Sequence, residues 1–215
     1  MSPPKYQKIT HNILQWYEEH GKDLPWRKTH DLFKILISEI FLKKTNTTSV
    51  KDIYDEFFEK YHGFEDLHET NVEELKSDIK SLGLSNRRSR TLKSLARWVV
   101  QENDGKLPRD LSRLKEVKGI GEYVARALKC FGSGKRVLFQ DVNIRRVIHR
   151  VFRGEQGEEG DDFVEEKLDL LVPKENVKDF YWGILDLGSK VGQKIEPRCD
   201  ECPISRLCHE HSQGH

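Results

Sequence analysis

Lys118-Gly119-Ile120-Gly121 runs directly into an apolar-periodic segment that carries Tyr123. Two glycines in three positions constrain the backbone strongly: with no Cβ, φ > 0 is open and another chain can approach closely. The run behind the glycines reads as a helix. Its first turn points free N–H groups and the positive end of its dipole outward, a ready place for a phosphate. Eighteen residues after Tyr123 stands a lone acid, Asp141, between the apolar Val137, Leu138 and Phe139 and the basic Arg145-Arg146. A plain helix–turn–helix corner explains a Gly-x-Gly by itself. Hairpin, helix and following acid together are a narrower combination.

The rest of the chain repeats one pattern, apolar residues at helical spacing broken by glycine, proline or polar clusters. Ile9, Ile13, Trp16 and Tyr17 predict a helix over 7–20, ended by Gly21 and Pro25. Asp31 is placed to cap a second over Leu32–Leu42, apolar almost all round and therefore central. Val50, Ile53, Tyr54, Phe57 and Phe58 mark a third, and Val72, Leu75 and Ile79 a fourth. A polar loop over Leu84–Arg88 leads to a fifth around Leu92, Leu95, Ala96 and Val99. A short helix over Leu111–Val117 precedes the hairpin, and further helices are expected near 142–152, 161–172 and 176–190. Gly154–Gly160 reads as an acidic surface loop, and neither paired strands nor repeats are evident. The expectation is an all-α protein.

At 215 residues, with four Trp and ten Phe, the chain can bury a core in one domain or two. The net charge of +1 does not announce a nucleic-acid binder, so local charge must make that case. No apolar run approaches the roughly 20 residues of a membrane span, and no secretory apolar core opens the chain. Cys130 stands alone and reads as a core cysteine, whereas Cys199, Cys202 and Cys208 cluster near the carboxyl end. That clustering favours a reduced compartment and metal ligation over disulfides.

Several side chains have a structural and a chemical reading. Asp141 is placed to cap the helix that follows it. Tyr123 is a core or surface tyrosine, or a site residue. Glu39, flanked by Ile37, Ile40 and Phe41, either faces solvent or is a buried carboxyl with a raised pKa. Leu84 and Ser85 sit at the tip of a solvated loop or of an inserting one, with Arg87, Arg88 and Arg90 beside them as phosphate ligands. Arg145 and Arg146 carry the same double reading.

From Pro25-Trp26-Arg27 through Cys208 the chain resembles the endonuclease III / MutY superfamily of DNA base-excision glycosylases, with its helix-hairpin-helix and Gly/Pro-Asp loop. The pattern is most similar to the mismatch-specific thymine-DNA glycosylase (MIG) subfamily. The resemblance implies two helical lobes with a cleft between them. One spans 24–132, barrel-like and including the hairpin; the other combines 1–23 with 133–215. It implies that Asp141 stabilises positive charge on the sugar and assists the attacking water. Bifunctional members carry a lysine at the position of Tyr123, and tyrosine cannot form their Schiff base, so a monofunctional enzyme is implied. Glu39 in Leu36-Ile37-Ser38-Glu39-Ile40-Phe41-Leu42 becomes a base-pocket acid. Leu84 or Ser85 becomes the wedge that fills the space of the extruded base. Lys43, Lys44, Asn46, Arg87, Arg88, Lys118, Gly119, Gly121 and Arg145 become DNA contacts.

MutY-type enzymes continue after the glutamate with glutamines. This chain has Lys43-Lys44-Thr45-Asn46, and it leaves no residues for their extra domain. The implied reaction is removal of thymine or uracil opposite guanine from double-stranded DNA, by a monomer in a prokaryotic cytoplasm. An adenine glycosylase acting on A·G pairs and a non-catalytic DNA-binding module are the alternatives. The tail Cys199-x2-Cys202-x5-Cys208 reproduces three ligands of the family's 4Fe–4S motif, with Gly192 at the place of the first. His209 or His211 would be a replacement ligand, for iron or for zinc. The chemistry itself needs no cofactor.

Overall fold

A computed structural model describes residues 3–153 and 160–214. Among them, the helices are α1 (Pro4–His20), α2 (Leu32–Leu42), α3 (Thr47–Lys60), α4 (Phe64–Glu69) and α5 (Val72–Asp78). There follow α6 (Ser85–Glu102), α7 (Glu122–Ser133), α8 (Val142–Phe152), α9 (Asp161–Leu171), α10 (Val177–Lys190) and α11 (His209–Ser212). No strand occurs among the described residues, and no helix there is long and apolar enough to cross a membrane. The protein is all-α. It divides into two compact units, Asp23–Ser133 and a discontinuous one made of Met1–Lys22 with Gly134–His215.

In the continuous unit α2 is the central rod. Asp31 caps it by accepting from Phe33 N at 2.8 Å, and every residue from Ile35 to Phe41 is buried. It packs against α3, α6 and α7. Aromatic rings fill the space: Phe33 meets Phe64 edge-on at 4.9 Å, and Phe41 meets Phe57 at 5.0 Å. Edge-to-face pairing of this kind adds to the stabilisation from area buried. On the other side of α2, α7 contributes Val124, Ala125, Ala127, Leu128, Cys130 and Phe131.

In the discontinuous unit α10 lies against α1 and α8. Its Gly188 permits the second of these approaches: a Cβ there would sit 2.9 Å from Asn143 Cβ and 3.2 Å from Asn143 O. Buried Asp186 accepts from Lys22 N at 2.7 Å, fixing the end of the α1 segment to α10. Arg146 donates to Gly188 O and Gly192 O, both at 2.7 Å, so α8 holds the carboxyl end of α10.

The departures from the sequence expectations have local causes. The first helix begins at Pro4 rather than near 7, because proline fits the first helical turn. The segment expected as a short helix over 111–117 is a 3-10 helix, Leu111–Glu116, too short for two α turns between its Asp110 cap and the hairpin. α4 went unrecognised, since six residues show little periodicity. The loop expected over Leu84–Arg88 is already helical from Ser85, with Leu84 O accepting from Arg87 N and Arg88 N. The acidic loop expected over 154–160 lies outside the described residues, apart from Gly160.

Gly188→Ala should lower the melting temperature. Overpacking costs about 1–3 kcal/mol, which outweighs the gain of about 1 kcal/mol in helix propensity. Calorimetry on the variant checks the sign.

Candidate active site

The continuous unit presents the glycine hairpin. Val117 and Ile120 are buried, and Ile120 N donates to Val117 O at 3.0 Å, which closes the turn. Gly119 has φ +100°, and a Cβ on it would run into the Thr91 side chain. Gly121 differs: a Cβ there would meet nothing within 4 Å. The fold needs the first glycine, whereas the second leaves an open outer surface beside exposed Lys118. Tyr123 lies half-buried in the first turn of α7. Glu122 beside it is paired with Lys115 and Arg126, each at 2.8 Å, and hydrogen bonds from these two cations lower its pKa.

A recess beside the hairpin is lined by Ile40, Lys43, Lys44, Leu84, Arg87, Arg88, Thr91, Gly119 and Val124. It brings together three segments singled out in the sequence: the end of α2, the Leu84 tip and the hairpin. Leu84 is 52% exposed, unusual for so large an apolar side chain, and adopts the left-handed conformation at φ 50°. Lys44 is also left-handed, at φ 62°. Lys43, Lys44 and Arg87 are exposed. Ser85 opens α6, and Asn46 caps α3 by accepting from Ser49 N at 2.8 Å.

Arg88 is not where the sequence suggested. It is 4% exposed, and its guanidinium donates to Leu82 O at 2.8 Å, Phe41 O at 3.0 Å, Lys43 O at 2.7 Å and Thr45 Oγ1 at 2.5 Å, as well as to Gly83 O. Its donors serve four backbone carbonyls and the Thr45 hydroxyl, so it is no phosphate ligand. Glu39 is 5% exposed within α2, which rules out the solvent-facing reading.

The discontinuous unit holds Asp141. Its Oδ1 accepts from Asn143 N at 2.9 Å and Ile144 N at 2.8 Å, and its Oδ2 from Asn143 Nδ2 at 3.1 Å. It is therefore the cap of α8 with both oxygens oriented. Burial pushes its pKa up, while these N–H donors and Arg146 pull the other way without cancelling the rise. The chain leading to it is fixed by fully buried Tyr181, whose hydroxyl donates to Val137 O at 2.9 Å and accepts from Phe139 N at 3.2 Å. The Phe139 ring stacks on Tyr181 at 3.9 Å. Gln140, which drew no attention in the sequence, leaves its buried Oε1 without a hydrogen-bond partner beside Asp141.

α8 is more basic than its first turn suggested. Arg145, Arg146, His149, Arg150, Arg153 and Lys194 line one open groove with Glu210. The spacing of Arg145, His149 and Arg153, four residues apart, was the signal in the sequence. Arg145 pairs with exposed Asp161, a weak contact that a phosphate can displace. Arg146 is bound to backbone carbonyls and Asn143.

The cysteine loop is tied by protein groups. Arg150 donates to Gln193 O at 2.7 Å and Lys194 O at 3.2 Å, and pairs with Glu210 at 3.2 Å. Burial pushes the Cys202 thiol up to about 11 and raises Cys208 as well. Gly192 offers no ligand atom, and among the described residues no group of three or more His, Cys, Asp or Glu is placed to hold a metal ion. Cys199, Cys202 and Cys208, with or without His209 and His211, are thus not gathered into a ligand set for a 4Fe–4S cluster or a zinc ion among the described residues.

Comparison with known proteins agrees with this picture. Residues 37–174 match the family described as HhH-GPD superfamily base excision DNA repair protein. A thymine/uracil-DNA glycosylase of Methanothermobacter thermautotrophicus is 37% identical over 206 residues, covering 95% of this chain and 93% of that one. A second, from Pyrobaculum aerophilum, is 36% identical over 207 residues, covering 93% and 90%. The solved structure of a thermostable thymine-DNA glycosylase superposes with a TM-score of 0.90 at 36% identity, covering 97% of each chain. With the hairpin, the capped aspartate and the all-helical fold in place, the chain belongs to the HhH-GPD superfamily of base excision DNA repair proteins.

Proposed function

We propose that this protein is a monofunctional DNA glycosylase that removes thymine or uracil mispaired with guanine and leaves an abasic site. It acts as a monomer on double-stranded DNA in the cytoplasm of a prokaryote. The observation that carries the reading is Asp141, a carboxylate oriented by three N–H donors at the start of α8, in a chain that carries Tyr123 and not lysine in the first turn of α7. The near-full-length likeness to thymine/uracil-DNA glycosylases supports the choice of base.

The chemistry is a hydrolysis. The N-glycosidic bond breaks with its electron pair going to the base, and positive charge gathers at C1′. The Asp141 carboxylate stabilises that charge and takes the proton of the attacking water, whose oxygen bonds to C1′. A backbone-anchored carboxylate suits this role because it needs no reorganisation as the charge develops. Tyr123 has no amine to attack C1′, so no Schiff base forms and the strand stays intact. Glu39, a carboxyl among apolar side chains, meets the polar edge of the extruded pyrimidine. Leu84 fills the stack that the base leaves. Lys43, Lys44, Arg87, Lys118 and Arg145 hold phosphates, and Gly121 leaves room for the strand to approach.

Duplexes carrying T·G, U·G, A·G or normal pairs, scored for abasic sites with and without alkali, test the assignment. Alkali-dependent breaks at T·G and U·G are expected. Breaks at A·G alone would turn the assignment to an adenine glycosylase, and silence on every duplex to a binding module.

Asp141→Asn should lower base removal by about a hundredfold to ten-thousandfold, the usual share of a general base, while duplex affinity stays near that of the wild type. Substantial residual turnover would remove Asp141 from its role. The wild-type pH profile supplies a further check. The carboxylate is the working form and its pKa is raised, so kcat/KM should fall with acidification at a pH above the ordinary aspartate value of 3.8. Tyr123→Lys should yield a borohydride-trapped adduct on U·G duplex, since an amine then replaces the phenol; absence of the adduct would count against this placement of Tyr123.

A further inference from the structure

Among the described non-glycine residues, Lys44, Leu84, Asp104 and Asn176 have positive φ. Two of the four, Lys44 and Leu84, line the same recess. A left-handed conformation costs a side-chain-bearing residue on the order of 1–3 kcal/mol and persists only where surrounding structure enforces it. Here the enforcing group is identifiable. Arg88 donates to Lys43 O at 2.7 Å and to Gly83 O, the carbonyls of the peptide groups that immediately precede Lys44 and Leu84. The same guanidinium holds Phe41 O, two residues before Lys43, and Leu82 O, one residue before Gly83. Thr45 closes the arrangement: its hydroxyl accepts from Arg88 at 2.5 Å and donates to Leu82 O at 3.1 Å.

The acceptors are four carbonyls and one hydroxyl, with no carboxylate among them. A planar fork with donors fixed in direction suits this task, whereas a lysine ammonium supplies charge without the fork. Burial lowers the Arg88 pKa, and the carbonyl oxygens compensate the charge that burial disfavours. A residue this buried and this fully engaged cannot reach a DNA strand. It does hold the two segments that carry the exposed leucine and the exposed lysines.

We propose that Arg88 is a positioning residue for base extrusion, locking the Leu84 tip and the Lys43-Lys44 turn into one rigid, left-handed pair. The proposal rests on the wedge reading of Leu84 given above. On this view the cost of ordering the two segments is met during folding rather than when DNA binds, which is what preorganisation means for an inserting side chain. The consequence is selective. Loss of the tie should impair removal of a base that must first be extruded from a pair, and should spare removal of a base that is already unpaired.

The experiment compares wild type, Arg88→Lys and Thr45→Val on two duplexes, one with uracil opposite guanine and one with uracil opposite a tetrahydrofuran gap. A 2-aminopurine beside the uracil reports extrusion. Arg88→Lys should lose about ten- to hundredfold in single-turnover rate on the U·G duplex, the equivalent of one or two charge-assisted hydrogen bonds, with its fluorescence rise diminished in parallel. On the gapped duplex it should stay near the wild-type rate. Thr45→Val removes a single tie and should show the same selectivity with a smaller loss, which keeps the test open if Arg88→Lys folds poorly. Equal losses on both duplexes, or no loss on either, would overturn the proposal. Leu84→Ala leaves every backbone tie in place and examines the underlying reading alone. Unchanged U·G activity in Leu84→Ala sinks the wedge; a selective loss there with non-selective loss in Arg88→Lys and Thr45→Val sinks only the role of Arg88.

Discussion

A helix ends with carbonyl groups that have no partner within it, and when that end is buried something else must supply the donors. At the carboxyl end of α2 the donor is the guanidinium of Arg88, reaching from α6 to Phe41 O and Lys43 O. Much of the continuous unit's architecture follows from this one requirement. α2 can be apolar almost all round because its end is satisfied from the side. The chain beyond it can turn sharply through Lys44 because the preceding carbonyl is anchored. The Gly83–Leu84 corner is pinned by the same group, so two loops far apart in sequence share one anchor. The exposed parts are held by a buried one.

The other unit uses the same device with different residues. Arg146 and Arg150 on α8 bind the carbonyls of Gly188, Gly192, Gln193 and Lys194. Asp141, the cap at the N-terminus of α8, binds N–H groups instead. Anions favour a helix N-terminus and cations a C-terminus, so each charge stabilises the helix end that it faces. Asp141 is thus both cap and candidate catalyst, and its two sequence readings do not exclude each other. A carboxylate already oriented by backbone donors keeps its place when its charge is called upon.

What the sequence disclosed and withheld follows from the range of the interactions involved. Periodicity and capping are local, so α2, with Asp31 before it, and α8, with Asp141 before it, were legible to the residue. The hairpin was legible because glycine is the residue a turn at φ +100° favours. Arg88 was misread because Arg87, Arg88 and Arg90 look alike in a string, and only the pitch of α6 turns one inward. The helix also begins at Ser85, inside the stretch read as a loop, which moved the supposed loop residues into its first turn. The Glu39 alternatives could not be separated by pattern, since a helix apolar on every side gives no inward face to count from. Tyr181 and Gln140 carry no motif at all; their positions around Asp141 depend on packing between residues some forty apart.

The discontinuous unit carries a consequence for how the chain is made. α1 packs on α10, Thr10 bonds to Leu171 O and Asn12 to Pro203 O, contacts that span 161 and 191 residues. Unit Asp23–Ser133 is continuous in sequence and can close while synthesis continues. α1 cannot: the apolar stripe of Ile9, Ile13 and Trp16 has no docking surface until the last quarter of the chain has emerged. The earliest of the described helices in the chain is therefore among the last to be buried. A chain cut short near its carboxyl end loses its beginning as well, and displays that stripe to chaperones and proteases as the mark of an unfinished molecule.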